Sequence, residues 1–73
     1  MAVANPTASL DQIGDTAGRI WHLLNEIGPS PVTKLVKEID APRDLVMQAV
    51  GWLAREGKIS IDEESRSKVI SLR

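Results

Sequence analysis

The sequence predicts an α+β fold in which three helices are followed by a C-terminal two-stranded β-hairpin. Three observations predict it. Apolar residues recur at intervals of three and four from Leu10 to Leu53, and beyond Gly57 the interval becomes two. Gly28, Pro29, Pro42 and Gly57 cut the helical part into three pieces.

The first helix is predicted over residues 10–27. Leu10, Ile13, Ala17, Ile20, Trp21, Leu24 and Ile27 form a single apolar stripe at helical spacing. Ser9, with Gln12 three residues on, has the form of a capping box, and Asp11 and Asp15 suit the positive end of the helix dipole. Residues 1–9, small and polar around Pro6, then read as a flexible tail, which leaves residues 10–73 as one domain. Gly28 and Pro29 stop the helix, because glycine accepts a left-handed backbone and proline cannot continue the hydrogen-bond ladder.

Pro29-Ser30-Pro31-Val32 is expected to be extended. Thr33 is placed to cap a short second helix over residues 34–39, with Leu35, Val36 and Ile39 inward. Asp40-Ala41-Pro42 reads as a tight turn, and Pro42 suits the first position of a third helix that runs to Glu56. Its inward arc is Leu45, Val46, Ala49, Val50, Trp52 and Leu53.

Lys58-Ile59-Ser60-Ile61-Asp62 and Lys68 to Leu72 alternate polar and apolar, as strands with one buried face do. The polar segment Glu63-Glu64-Ser65-Arg66-Ser67 is of hairpin length. Helix, extended piece, helix, tight turn, helix and hairpin is the layout of a winged helix-turn-helix. The expected core is Ile13, Ile20, Trp21, Leu24, Leu35, Leu45, Ala49, Trp52, Leu53, Ile59 and Ile70.

Composition narrows the function classes. The chain has 73 residues, 9 Lys and Arg against 10 Asp and Glu, a formal net charge of −1 and no cysteine. Disulfides, thiolate nucleophiles and thiolate metal sites are excluded. No apolar run approaches the roughly 20 residues that span a bilayer, and the first nine residues lack the basic and apolar regions of a signal peptide. A cytoplasmic protein with no membrane partner is the expectation.

Two runs sharpen the fold assignment. Ile13-Gly14-Asp15-Thr16-Ala17-Gly18-Arg19-Ile20-Trp21 and Ala49-Val50-Gly51-Trp52-Leu53-Ala54-Arg55-Glu56-Gly57-Lys58-Ile59 resemble a small stand-alone winged-helix family of bacteria and archaea, a domain of unknown function. The resemblance covers about residues 10–72. It implies the winged-helix fold, points to self-association and carries over no functional residue.

A helix-turn-helix places its last helix in the major groove of double-stranded DNA. The outward positions here are Arg43, Asp44, Met47 and Gln48, then Gly51, Ala54 and Arg55. Arg43, Gln48 and Arg55 are candidates to face the groove, arginine pairing with guanine and glutamine with adenine. Lys37, Arg66 and Lys68 are candidates for phosphates, with Lys34 and Lys58 as further cations. Two features oppose this reading. Asp44 lies among the base readers, and Asp62-Glu63-Glu64 puts three negative charges on the wing, a poor electrostatic footprint for DNA.

The alternative is a protein-interaction or homodimer surface at Met47, Gly51 and Ala54, whose small or pliable side chains favour close packing. Gly14 and Gly18, one turn apart, let another backbone approach, either a helix of the same chain near Trp52 or a second chain. Trp21 and Trp52 read as core rather than as base-stacking platforms. His22 lacks companions at metal-ligand spacing, and Asp11 with Asp15 reads as a helix start rather than an acid–base pair. No phosphate loop or nucleophile–base set is present. The expectation is a non-enzymatic binding module with no cofactor, no metal and no small-molecule ligand.

Overall fold

Pro6 opens the first helix of the computed structural model, which describes residues 6–64 and 67–73, with side chains from 10–63 and 68–73. A proline fits a first helical turn, where its missing N–H has no partner to lose. Helix α1 spans Pro6–Ile27, so it starts four residues before the expected position. Ser9 lies inside it and is not its cap, and no acidic residue falls in its first turn. The dipole account of Asp11 and Asp15 therefore fails. Asp15 instead meets Arg19 one turn on, at 3.4 Å, with both side chains exposed. Such a pair contributes only a few tenths of a kcal/mol.

Strand β1 is Ser30–Pro31, helix α2 is Val32–Glu38 and helix α3 is Arg43–Arg55. Strands β2 (Ile59–Glu64) and β3 (Ser67–Leu72) form the hairpin. Pro31, not Thr33, occupies the cap position of α2, and no side chain caps that helix. Pro42 precedes α3 at its cap rather than filling its first turn, and its carbonyl accepts from the Val46 amide at 3.0 Å.

The sheet has three strands where the sequence indicated two. Its order is β1-β3-β2, antiparallel throughout, with Ser30 opposite Ile70 and Pro31 opposite Val69. A two-residue strand has no alternation to detect, and proline is admissible there because β1 is an edge. Strands β2 and β3 also run further than expected. Glu63 faces Lys68 and Glu64 faces Ser67 in the ladder, so the two acids belong to the wing strand and not to the connection.

The core is Ala17, Ile20 and Leu24 of α1, Val32 and Leu35 of α2, Ile39, the arc Val46, Ala49, Val50 and Leu53 of α3, and Ile59 and Ile70 of the sheet. Ile13, Trp21 and Leu45, expected inside, are half-buried. Leu10 and Ile27 end the α1 stripe beyond the core and are exposed. Trp52 is the clearest departure, at 43% exposed. It sits at the edge of the α3 arc and looks across a cleft to Gly14 and Gly18, which supply no side chain to cover it. A Cβ at either glycine would meet nothing within 4 Å, so these residues do not serve a close approach within the chain.

Gly57 closes α3 at φ +73. Its amide donates to Ala54 at 3.1 Å and the Lys58 amide to Leu53 at 3.0 Å, the paired bonds of a Schellman motif. This closure turns the chain directly into β2. Gly57→Ala is expected to lower stability by about 1 kcal/mol, because the left-handed backbone is strained for a residue with a Cβ. Urea denaturation checks it, and an unchanged midpoint would refute the strain argument.

Candidate nucleic-acid interface

With Val46, Ala49, Val50 and Leu53 buried, the remaining faces of α3 turn outward. Asp44, Gln48, Gly51 and Arg55, spaced four, three and four, form one exposed ridge. Arg43, Met47 and Ala54 form the row beside it, with Met47 half-buried against the core and the other two exposed. Arg43 and Arg55 lie twelve residues apart, about 18 Å along the axis, so they address opposite ends of any ligand. Asp44 is the one acid in the first turn of α3.

The candidate phosphate contacts are dispersed. Lys37 is exposed in the last turn of α2. Lys68 is exposed on β3, but its Nζ lies 3.9 Å from Glu63 Oε2 across the ladder. Arg66 lies outside the described residues. Lys34 and Lys58 are exposed. Asp62 and Glu63 are exposed on β2 and, by strand alternation, point to opposite faces of the wing. The wing therefore carries acid on both surfaces. Neither Arg43 nor Arg55 forms an ion pair among the described residues.

Two concavities are not legible in the sequence. Met47 and Gly51 of α3 line a groove of about 400 Å³ with Ile61, Glu63 and Lys68 of the wing. Ile61 shares the inward face of β2 with Ile59 but is 40% exposed, since this part of the strand passes beyond the core. Alternation alone shows which face a strand buries, not how far that burial extends. A larger cleft, about 520 Å³, lies between α1 and the end of α3 and includes Trp21, His22, Trp52, Lys58 and Arg73. His22 is exposed, and its ring stands perpendicular to that of Trp21 with centroids 5.4 Å apart. Among the described residues no group of three His, Asp or Glu side chains is placed to hold a metal ion. No helix there is long and apolar enough to cross a membrane.

Comparison with known proteins agrees with this architecture. The chain is 39% identical over 64 residues to Uncharacterized protein MJ1608 of Methanocaldococcus jannaschii, an alignment covering 85% of this chain and 91% of that protein. No solved structure matches it. A family model described as a winged helix-turn-helix domain, DUF2582, matches residues 9–72. That span takes in the helix-turn-helix pair, the Schellman closure and both wing strands, and on it the chain belongs to the DUF2582 winged helix-turn-helix family.

Proposed function

We propose that the chain is a cytoplasmic, non-catalytic DNA-binding module that inserts α3 into the major groove. The observation that carries this reading is the outward face of α3, which displays Arg43, Gln48 and Arg55 with both guanidiniums free of ion pairs among the described residues. Arg43 and Gln48, in the first half of the helix, are the base-reading pair. Arg55, at the far end, reaches a phosphate, and Lys37 on α2 supplies another. Lys68 contributes less, because Glu63 already holds it. Few contacts with phosphate mean modest affinity and a shallow salt dependence.

The test is a titration of duplex DNA at two salt concentrations. Replacing Arg43 and Arg55 together by alanine should weaken binding by at least about tenfold. It should also flatten the salt slope by about 1, the unit for the one phosphate that Arg55 no longer neutralises. Absence of parent binding below about 100 micromolar, where non-specific binders register, removes the proposal.

The groove between α3 and the wing favours a second reading, a protein-interaction surface formed by Met47, Gly51 and Ala54. Ile61 is exposed there and a Cβ at Gly51 would meet nothing within 4 Å. Under that reading the parent and the arginine variant both stay at background with DNA.

A further inference from the structure

The cleft between α1 and the end of α3 holds both tryptophans of the chain, Trp21 on one wall and Trp52 on the other. Neither is fully covered: Trp21 is half-buried and Trp52 is 43% exposed. At about 520 Å³ the cleft falls within the range of small-molecule sites, roughly 300–1,000 Å³. Two cations line it at the end of the sheet. The Lys58 amide donates to the Leu53 carbonyl at 3.0 Å, and the Lys58 carbonyl accepts from the Arg73 amide at 3.1 Å. Lys58 and Arg73 thus stand opposite one another, one step beyond the ladder pair Ile59 and Leu72. Residues so opposed share one face of a sheet, and like charges there repel. Among the described residues no carboxylate side chain lines the cleft, and neither cation forms an ion pair. The fold therefore sets two unneutralised cations beside two uncovered indoles.

We infer that this cleft binds a small aromatic anion, its flat ring against Trp21 and Trp52 and its carboxylate or phosphate between Lys58 and Arg73. Each half of such a ligand answers one observation. An aryl ring covers indole surface that the chain leaves in water, and indoles favour stacked or edge-to-face aromatic partners. A carboxylate or phosphate accepts from the Arg73 guanidinium and the Lys58 ammonium at once, which removes the repulsion between them. Room for the ring comes from Gly18, where a Cβ would meet nothing within 4 Å. A neutral aromatic compound engages only the indoles and an inorganic anion only the cations, so the site selects a ligand with both parts. Arg43, Gln48, Arg55, Lys37 and Lys68, on which DNA binding rests, lie outside the cleft, so the two readings fail separately.

Nuclear magnetic resonance titration of the isotope-labelled chain, read at its two indole N–H signals, tests the inference. Naphthoate and adenosine monophosphate are the probes, one carrying the carboxylate and the other the phosphate. At least one should move both signals with a dissociation constant of about 0.1–2 millimolar, as expected for ligands of this size. Whichever does so identifies the anionic group. Naphthamide and adenosine, the neutral counterparts, should bind at least about fivefold more weakly. Lys58→Gln with Arg73→Gln, both at exposed side chains, should raise the dissociation constant at least about tenfold and abolish the preference for the anion. Gly18→Leu extends into open space and favours helix. It should fill the cleft and eliminate binding, with circular dichroism unchanged. Arg19→Gln, at an exposed cation outside the cleft, should leave the affinity as it is. Indole signals that stay in place at about 10 millimolar of both anions would overturn the inference. So would equal binding of the neutral counterparts, or an affinity indifferent to the cation pair or to Gly18→Leu.

Discussion

Ile70→Ala is expected to cost about 2–5 kcal/mol of folding stability, the range for removing a fully buried branched side chain. Domains of this length have roughly 4–11 kcal/mol in total, so the variant would lose a large share of it. Ile70 has no exposed surface and sits in the central strand, opposite Ser30 on one side and Ile61 on the other. Neighbours cannot collapse into the vacancy without disturbing two ladders at once. Ser30 is itself fixed, buried with its hydroxyl donating to the Gly28 carbonyl at 2.9 Å. Ile61→Ala provides the contrast. It lies directly across from Ile70 in the register but is 40% exposed, and should cost less than about 1 kcal/mol. Urea denaturation with an unchanged slope separates the two. Equal midpoints for both variants would mean that the sheet is not clamped by its central strand.

The function of that clamp is positional. Strand β1 immediately precedes α2, and β3 ties it to the wing strand β2. The helix-turn-helix pair and the wing are thereby held in one frame, so their side chains can address one partner.

Much of this frame was legible in the residues, for reasons that also explain what was not. The inward arc of α3 and its exposed face follow from helical period alone, and Val46, Ala49, Val50 and Leu53 are buried as that period requires. Gly57 marked the helix end because a left-handed residue was needed there. Strand β1 was hidden, since two residues, one of them proline, carry no periodic signal. Trp52 shows the other limit. Periodicity places it at the border of an apolar arc, but whether a border residue is covered depends on what the facing helix supplies. Here the facing helix supplies Gly14 and Gly18. The candidate site divides along the same line. Exposure of Arg43, Gln48 and Arg55 could be read locally, whereas the capture of Lys68 by Glu63 depends on cross-strand register.

That capture leads to the prediction with the largest effect on binding. Asp62→Lys combined with Glu63→Gln should tighten duplex DNA binding by about two orders of magnitude at low salt and steepen the salt slope by about 2. The first change replaces a repelling carboxylate by a cation on one face of the wing. The second releases Lys68, whose ammonium otherwise lies beside the Glu63 carboxylate, on the other. Both altered side chains are exposed, and the ion pair removed is a surface one worth under about 1 kcal/mol, so folding should be little affected. Filter binding or fluorescence anisotropy at two salt concentrations gives both numbers. If affinity and slope stay as in the parent, the wing does not approach the phosphates, and DNA contact would rest on α3 alone. Unchanged affinity together with no effect of removing Arg43 and Arg55 would leave neither the charges of α3 nor those of the wing in contact with DNA. The acid on the wing would then belong to recognition of a protein, with Ile61 and Met47 as its apolar floor.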